Sequence, residues 1–118
     1  MIFEVYYPNN KKGCKRITVS YNSTFEDLAI EISDSFIDDC DPTHLYHFYI
    51  LKDGNFKFKV NKDYDYLIAH PEAMSCHEKS LNAHKSRISH LNLRVGQEIG
   101  FVYDYGETRH VLVRKIND

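Results

Sequence analysis

Four side chains capable of acid–base or ion-pair chemistry crowd one short stretch: Asp104, Glu107, Arg109 and His110, within YDYGETRH at residues 103–110. An imidazole titrates near neutral pH, and a carboxylate such as Asp104 can orient it or an adjacent group, which is what general acid–base catalysis requires. The same residues also make ordinary turn chemistry. With Gly106 and Glu107 as a two-residue loop, the glycine supplies the positive φ of a type II′ turn. Tyr105 then faces Thr108, Asp104 faces Arg109 and Tyr103 faces His110. The opposed Asp–Arg pair is worth roughly 0.2–1 kcal/mol. No Ser or Cys nucleophile neighbours these groups in sequence. Tyr103, Asp104, Tyr105, Arg109 and His110 therefore fit a ligand- or partner-binding tip better than a catalytic one.

A second constellation is basic. Lys11, Lys12, Lys15 and Arg16 surround a predicted first turn beside Tyr6 and Tyr7, and Lys57 and Lys59 extend a second strip from Lys52. Basic residues interleaved with aromatics bind single-stranded nucleic acid through phosphates and stacked bases. Lysines on an edge hairpin also guard against aggregation. A formal net charge of −2 lacks the basic excess of a dedicated polyanion binder, so nucleic acid stands as the alternative partner.

The seven histidines do not build a metal site. On a helix, residues 77 and 84 would sit about 10 Å apart along the axis, too far for two ligands each about 2 Å from one zinc. Asp38, Asp39, Asp41 and His44 lack the spacing of a calcium loop. No metal and no cofactor is expected.

These residues need a scaffold, and the pattern supplies one domain over residues 1–118. Ile99, Phe101, Tyr103 and Tyr105 alternate with Gly100, Val102 and Asp104, the two-residue period of a strand. Val111, Leu112, Val113 and Ile116 form its hairpin partner. Met1 to Tyr7 and Cys14 to Tyr21 read as an N-terminal hairpin around a turn at residues 8–13. Ser23-Thr24-Phe25-Glu26 reads as a capping box opening a helix over about residues 23–37. Strands follow at 44–51 and 56–60, with a weaker helix from Pro71 to about Ala83. The expected architecture is α+β and β-grasp-like. It has an N-terminal hairpin, one main helix on a four- to six-stranded mixed sheet, and a C-terminal hairpin. Phe25, Leu28, Ile32, Phe36, Phe48, Ile50, Phe101 and Val111 are its expected core. An odd count of three cysteines without a CxxC indicates a reducing compartment. No apolar run approaches the roughly 18 residues of a spanning helix. A cytoplasmic location and no membrane partner follow.

The stretch HLNLRVGQEIGFVYDYGETRHVLVRKI, residues 90–116, resembles the C-terminal signature of the plasmid pRiA4b ORF-three-like family, insertion-element passenger proteins labelled resolvase-like. The matching positions are Leu91, Leu93, Gly96, Tyr103, Asp104, Tyr105, Gly106 and, after a gap, His110. HLYHFYI and KRITV resemble two further strands of that family. The family's tryptophan beyond the turn is absent, and this chain has none. The resemblance implies a mobile-element setting and no defined reaction. The expectation is a small binding or interaction module without catalytic activity, its partner a protein or small molecule. The alternatives are a nucleic-acid-binding accessory protein of a mobile element, and a hydrolase or metal-dependent enzyme using Asp104 and His110.

Overall fold

Alternating apolar residues build the sheet from both ends of the chain. The computed structural model describes residues 1–37, 45–52, 54–58, 64–76, 80–103 and 109–117, without the side chains of Asn10, Lys11, Lys12, Ser75 and Cys76. Its strands are β1 (Ile2–Tyr7), β2 (Asn10–Thr18), β3 (Tyr46–Ile50), β4 (Tyr66–Ala69), β5 (Leu81–Asn82), β6 (Glu98–Tyr103) and β7 (Arg109–Asn117). They form one sheet in the order β2-β1-β7-β6-β3-β4-β5. The β4–β5 pair is parallel and the others are antiparallel, so the sheet is mixed. Seven strands exceed the four to six expected. The short β4 and β5 were not expected: β4 falls where the sequence assigned no element, and β5 within the expected second helix. Residues 71–76 are only a short 3-10 turn. Among the described residues of 54–58 there is no strand, in contrast to the one expected at 56–60.

The helix α1 (Phe25–Ile32) packs on one face of this sheet. Its N-cap is Thr24, one residue later than the Ser23 box expected from sequence. Thr24 Oγ1 accepts from the Asp27 amide at 3.2 Å, and Asp27 reaches back to the Thr24 amide at 3.0 Å. Glu26 is occupied elsewhere, with His84 Nε2 at 2.6 Å, which leaves Asp27 to close the box. The open amides of Phe25 and Glu26 donate to the Ser86 and Ala83 carbonyls, so the 83–88 segment satisfies the helix start. After Ile32 the helix widens into a π turn, Ser33–Ile37. There the Ser33 hydroxyl donates to the Ala29 carbonyl at 2.9 Å and the Ile30 carbonyl at 3.1 Å, competing with the regular ladder.

Between helix and sheet lies the main core. Phe25, Leu28, Ile32, Phe48, Ile50, Phe101 and Val111 are buried as expected, and Phe36 is only half-buried, against Tyr7. The opposite sheet face is covered too. All six residues of β6 are buried, including Glu98, Gly100 and Val102 on the side away from α1. Phe56 and Phe58 lie over Gly100, whose absent Cβ would stand 2.6 Å from Phe56 Cδ1. Among the described residues, no helix is long and apolar enough to cross a membrane.

Candidate functional site

The expected hairpin tip is divided by the fold. Tyr103 is 3% exposed and stacks on Phe101 in the core, so it supports the strand rather than a ligand. Arg109 opposes Tyr103 and His110 opposes Val102, a register one residue away from the expected facing of Tyr103 and His110. The shift puts Arg109 on the helix side and His110 on the other. There the His110 ring stacks on Phe58 at 4.6 Å and 7°. Asp104 and Tyr105, with Gly106 and Glu107, lie outside the described residues, as do residues 38–44 and Lys59.

Lys15, Arg16 and Lys57 have internal partners. Lys15 Nζ donates to the Ser35 carbonyl at 2.5 Å. Arg16 stands 3.7 Å from Glu4, whose other oxygen takes Arg114 at 2.5 Å. That bond holds the Arg114 guanidinium above its already high range. Lys57 Nζ lies 3.0 Å from Glu98 Oε1 and 3.1 Å from Oε2. Glu98 is buried, and its Oε2 also accepts the Tyr6 hydroxyl at 2.5 Å. Burial first, and then this bond to a carboxylate, push the Tyr6 hydroxyl well above its ordinary range. Lysine, carboxylate and phenol thus close a network beneath the Phe56–Phe58 cover.

At the start of α1 a third group gathers. His84 pairs with Glu26, the His70 ring lies 5.3 Å from that of His84, and Tyr46 meets His70 edge-on at 5.4 Å. The Tyr46 hydroxyl is buried and has no hydrogen-bond partner among the described residues. Burial, followed by the charges of Glu26 and Asp27, raises its pKa. Among the described residues, no cluster of three His, Cys, Asp or Glu side chains suits a metal ion.

Among the described residues, an open concave feature lies along residues 88–97. A 3-10 turn (Ile88–Leu91) ends at Asn92, which takes the left-handed conformation with φ 50° and ψ 48°. The chain then runs through Arg94 and Val95 to Gly96, at φ 91°. Buried Gln97 pins this loop. Its Oε1 accepts the Arg94 amide at 2.9 Å and its Nε2 donates to the Leu51 carbonyl at 2.8 Å. From β7, the Lys115 carbonyl accepts the Gly96 amide at 2.7 Å and Lys115 Nζ donates to the Leu93 carbonyl at 2.8 Å. Two cavities flank this ridge. One of about 520 Å³ has Tyr21, Ile88, Leu93 and Val95 as apolar walls and Lys115 on its lining. The other, about 290 Å³, is bordered by Lys52, Tyr66, His90 and Gln97. Asn92 and Arg94 line both. Sequence reasoning missed this cleft. Its one local signal was Leu91, Leu93 and Gly96, positions carried by the family resemblance.

No family model and no curated protein matches the chain. Among solved structures it is similar to a protein of unknown function from Methanosarcina mazei Go1, with 22% sequence identity and a TM-score of 0.65. The match covers 98% of this chain and 57% of that one, so the chain spans little more than half of its structural neighbour. The likeness is one of fold.

Proposed function

We propose that this chain is a non-enzymatic binding module that takes a small molecule in the cleft along residues 88–97. One observation carries this reading: two cavities of about 520 and 290 Å³ meet at a ridge whose backbone is already fixed. Ligand sites are commonly concave, preformed and about 300–1,000 Å³ in volume. The Gln97 and Lys115 bonds supply the preorganisation. The module is a cytoplasmic one in this reading, a β-grasp-like relative of the plasmid ORF-three-like proteins.

The nucleic-acid alternative has less behind it, because Lys15, Arg16 and Lys57 each have an internal partner that neutralises or holds them. A hydrolase using Asp104 and His110 is not favoured by His110, whose described ring contact is with Phe58.

A fragment screen by two-dimensional amide NMR tests the reading. Hits should shift the amides of residues 88–97 before any others. Hits confined to the β6–β7 tip, or to the Phe58–His110 stack, would overturn the assignment of the cleft.

A further inference from the structure

We infer that the cleft recognises an organic anion, its carboxylate or phosphate held by Arg94 and its apolar body lying against Tyr21, Leu93 and Val95. This rests on the small-molecule reading above and adds the chemical class of the ligand.

The lining has one sign of charge. Arg94 borders both cavities, Lys115 lines the larger and Lys52 the smaller, while among the described residues neither lining includes an Asp or Glu. Low-dielectric walls around like charges focus the field, and the ligand that enters is the counter-charge. This is unusual in a chain with more acidic than basic residues, 17 against 15.

Arg94 differs from the other arginines whose ion pairs are described. Arg16 and Arg114 both lie against Glu4. The Arg94 guanidinium has no hydrogen bond or ion pair among the described residues. Its backbone, in contrast, is fixed at both groups, the amide to Gln97 Oε1 and the carbonyl to the Gln97 amide at 3.0 Å. A planar fork of donors on an anchored backbone suits bidentate capture of a carboxylate or phosphate.

The walls point to an organic body. Tyr21 is 66% and Val95 60% exposed, both at the larger cavity, where Leu93 is buried behind them. An inorganic anion would leave these apolar surfaces wet, whereas a ring or short chain would cover them. The bounded volumes and apolar walls favour a small molecule over an extended polyanion.

Phenyl phosphate, inorganic phosphate and the uncharged phenyl β-glucoside serve as probes, titrated into the wild-type chain and the Arg94→Gln variant with amide NMR as readout. Phenyl phosphate should shift the amides of residues 88–97 and bind at least ~10-fold more tightly than inorganic phosphate. Arg94→Gln should weaken it at least ~10-fold by removing a charge-assisted bidentate contact, without moving the melting temperature. Equal binding of the glucoside would overturn the anionic class and leave the small-molecule reading standing. Equal binding of inorganic phosphate would overturn the organic body. Unchanged affinity in Arg94→Gln would overturn the role of that residue. No shift at residues 88–97 with any probe would overturn the organic-anion reading, and the fragment screen then decides the small-molecule reading by itself.

Discussion

The Tyr6 hydroxyl donates to Glu98 Oε2 across 2.5 Å, joining the first strand of the sheet to a carboxylate 92 positions later in the chain. A buried carboxylate needs donors to replace water, and Tyr6 and Lys57 supply them on the face away from α1. Tyr6→Phe keeps the ring and removes the donor. It should cost about 1–3 kcal/mol, because Glu98 stays buried with one partner fewer. Urea unfolding checks this, and an unchanged midpoint at unchanged slope would count against the network.

The same hydroxyl sets an alkaline limit. Burial raises the pKa of Tyr6, Tyr46 and Tyr49 above the ordinary value of 10.0. Above pH 10 the unfolded chain releases these protons while the folded chain keeps them, so the folded state binds more protons and stability falls as pH rises. Below pH 10 the contribution is complete. Each tyrosine adds up to about 1.4 kcal/mol of loss per pH unit in that window. Melting temperatures should be level with respect to these groups up to about pH 9 and drop beyond 10, with a shallower drop in Tyr6→Phe.

Gly100 is a space requirement rather than a turn. A methyl there would meet Phe56 Cδ1 at 2.6 Å and Cε1 at 2.8 Å. Gly100→Ala must therefore displace the ring that covers β6, at a cost of about 1–3 kcal/mol. A thermal melt within a degree of wild type would show that the cover shifts freely.

Asn92 holds the cleft ridge in a left-handed conformation that β-branched residues tolerate poorly. Asn92→Gly should leave stability within about 0.5 kcal/mol, while Asn92→Val should lose about 1–2 kcal/mol. Chemical denaturation of the two variants side by side checks the ordering, and equal midpoints would contradict it.

How far the sequence announced this molecule varies by element, for physical reasons. β1, α1, β3 and the β6–β7 hairpin carry clean periodicity, and their inward residues were legible. β4 was not, because Leu67, Ile68 and Ala69 are buried on both faces and show no alternation. The two residues of β5 have no period at all. The hairpin register slipped although the inner face of β6 was legible, because Val111, Leu112 and Val113 are buried in succession and β7 does not mark which of them opposes that face. The turn residues alone then decided, and they suggested a loop one pairing different. The N-cap was ambiguous because Ser23-x-x-Glu26 and Thr24-x-x-Asp27 overlap as capping boxes, and the structure uses the second. The cleft was the least legible feature. Tyr21, Lys52, Arg94 and Lys115 reach it from four separate stretches, and each looks ordinary in its own.

The strand order has a consequence for how such a chain is made. β7 stands between β1 and β6, so among the described strands it alone joins the β2-β1 ribbon to the β6-β3-β4-β5 half through backbone hydrogen bonds. It is also the last of the described strands in chain order. While the chain emerges from a ribosome, both halves must wait with a bare inner edge until residues 109–117 clear the exit tunnel. The sheet is then completed by a closing event that waits for residues 109–117 rather than by vectorial growth from the N-terminus, and the pairings made at that moment are long-range and correspondingly slow. Chains released before residue 109 would keep two strand edges exposed, which makes them templates for intermolecular pairing and substrates for chaperones.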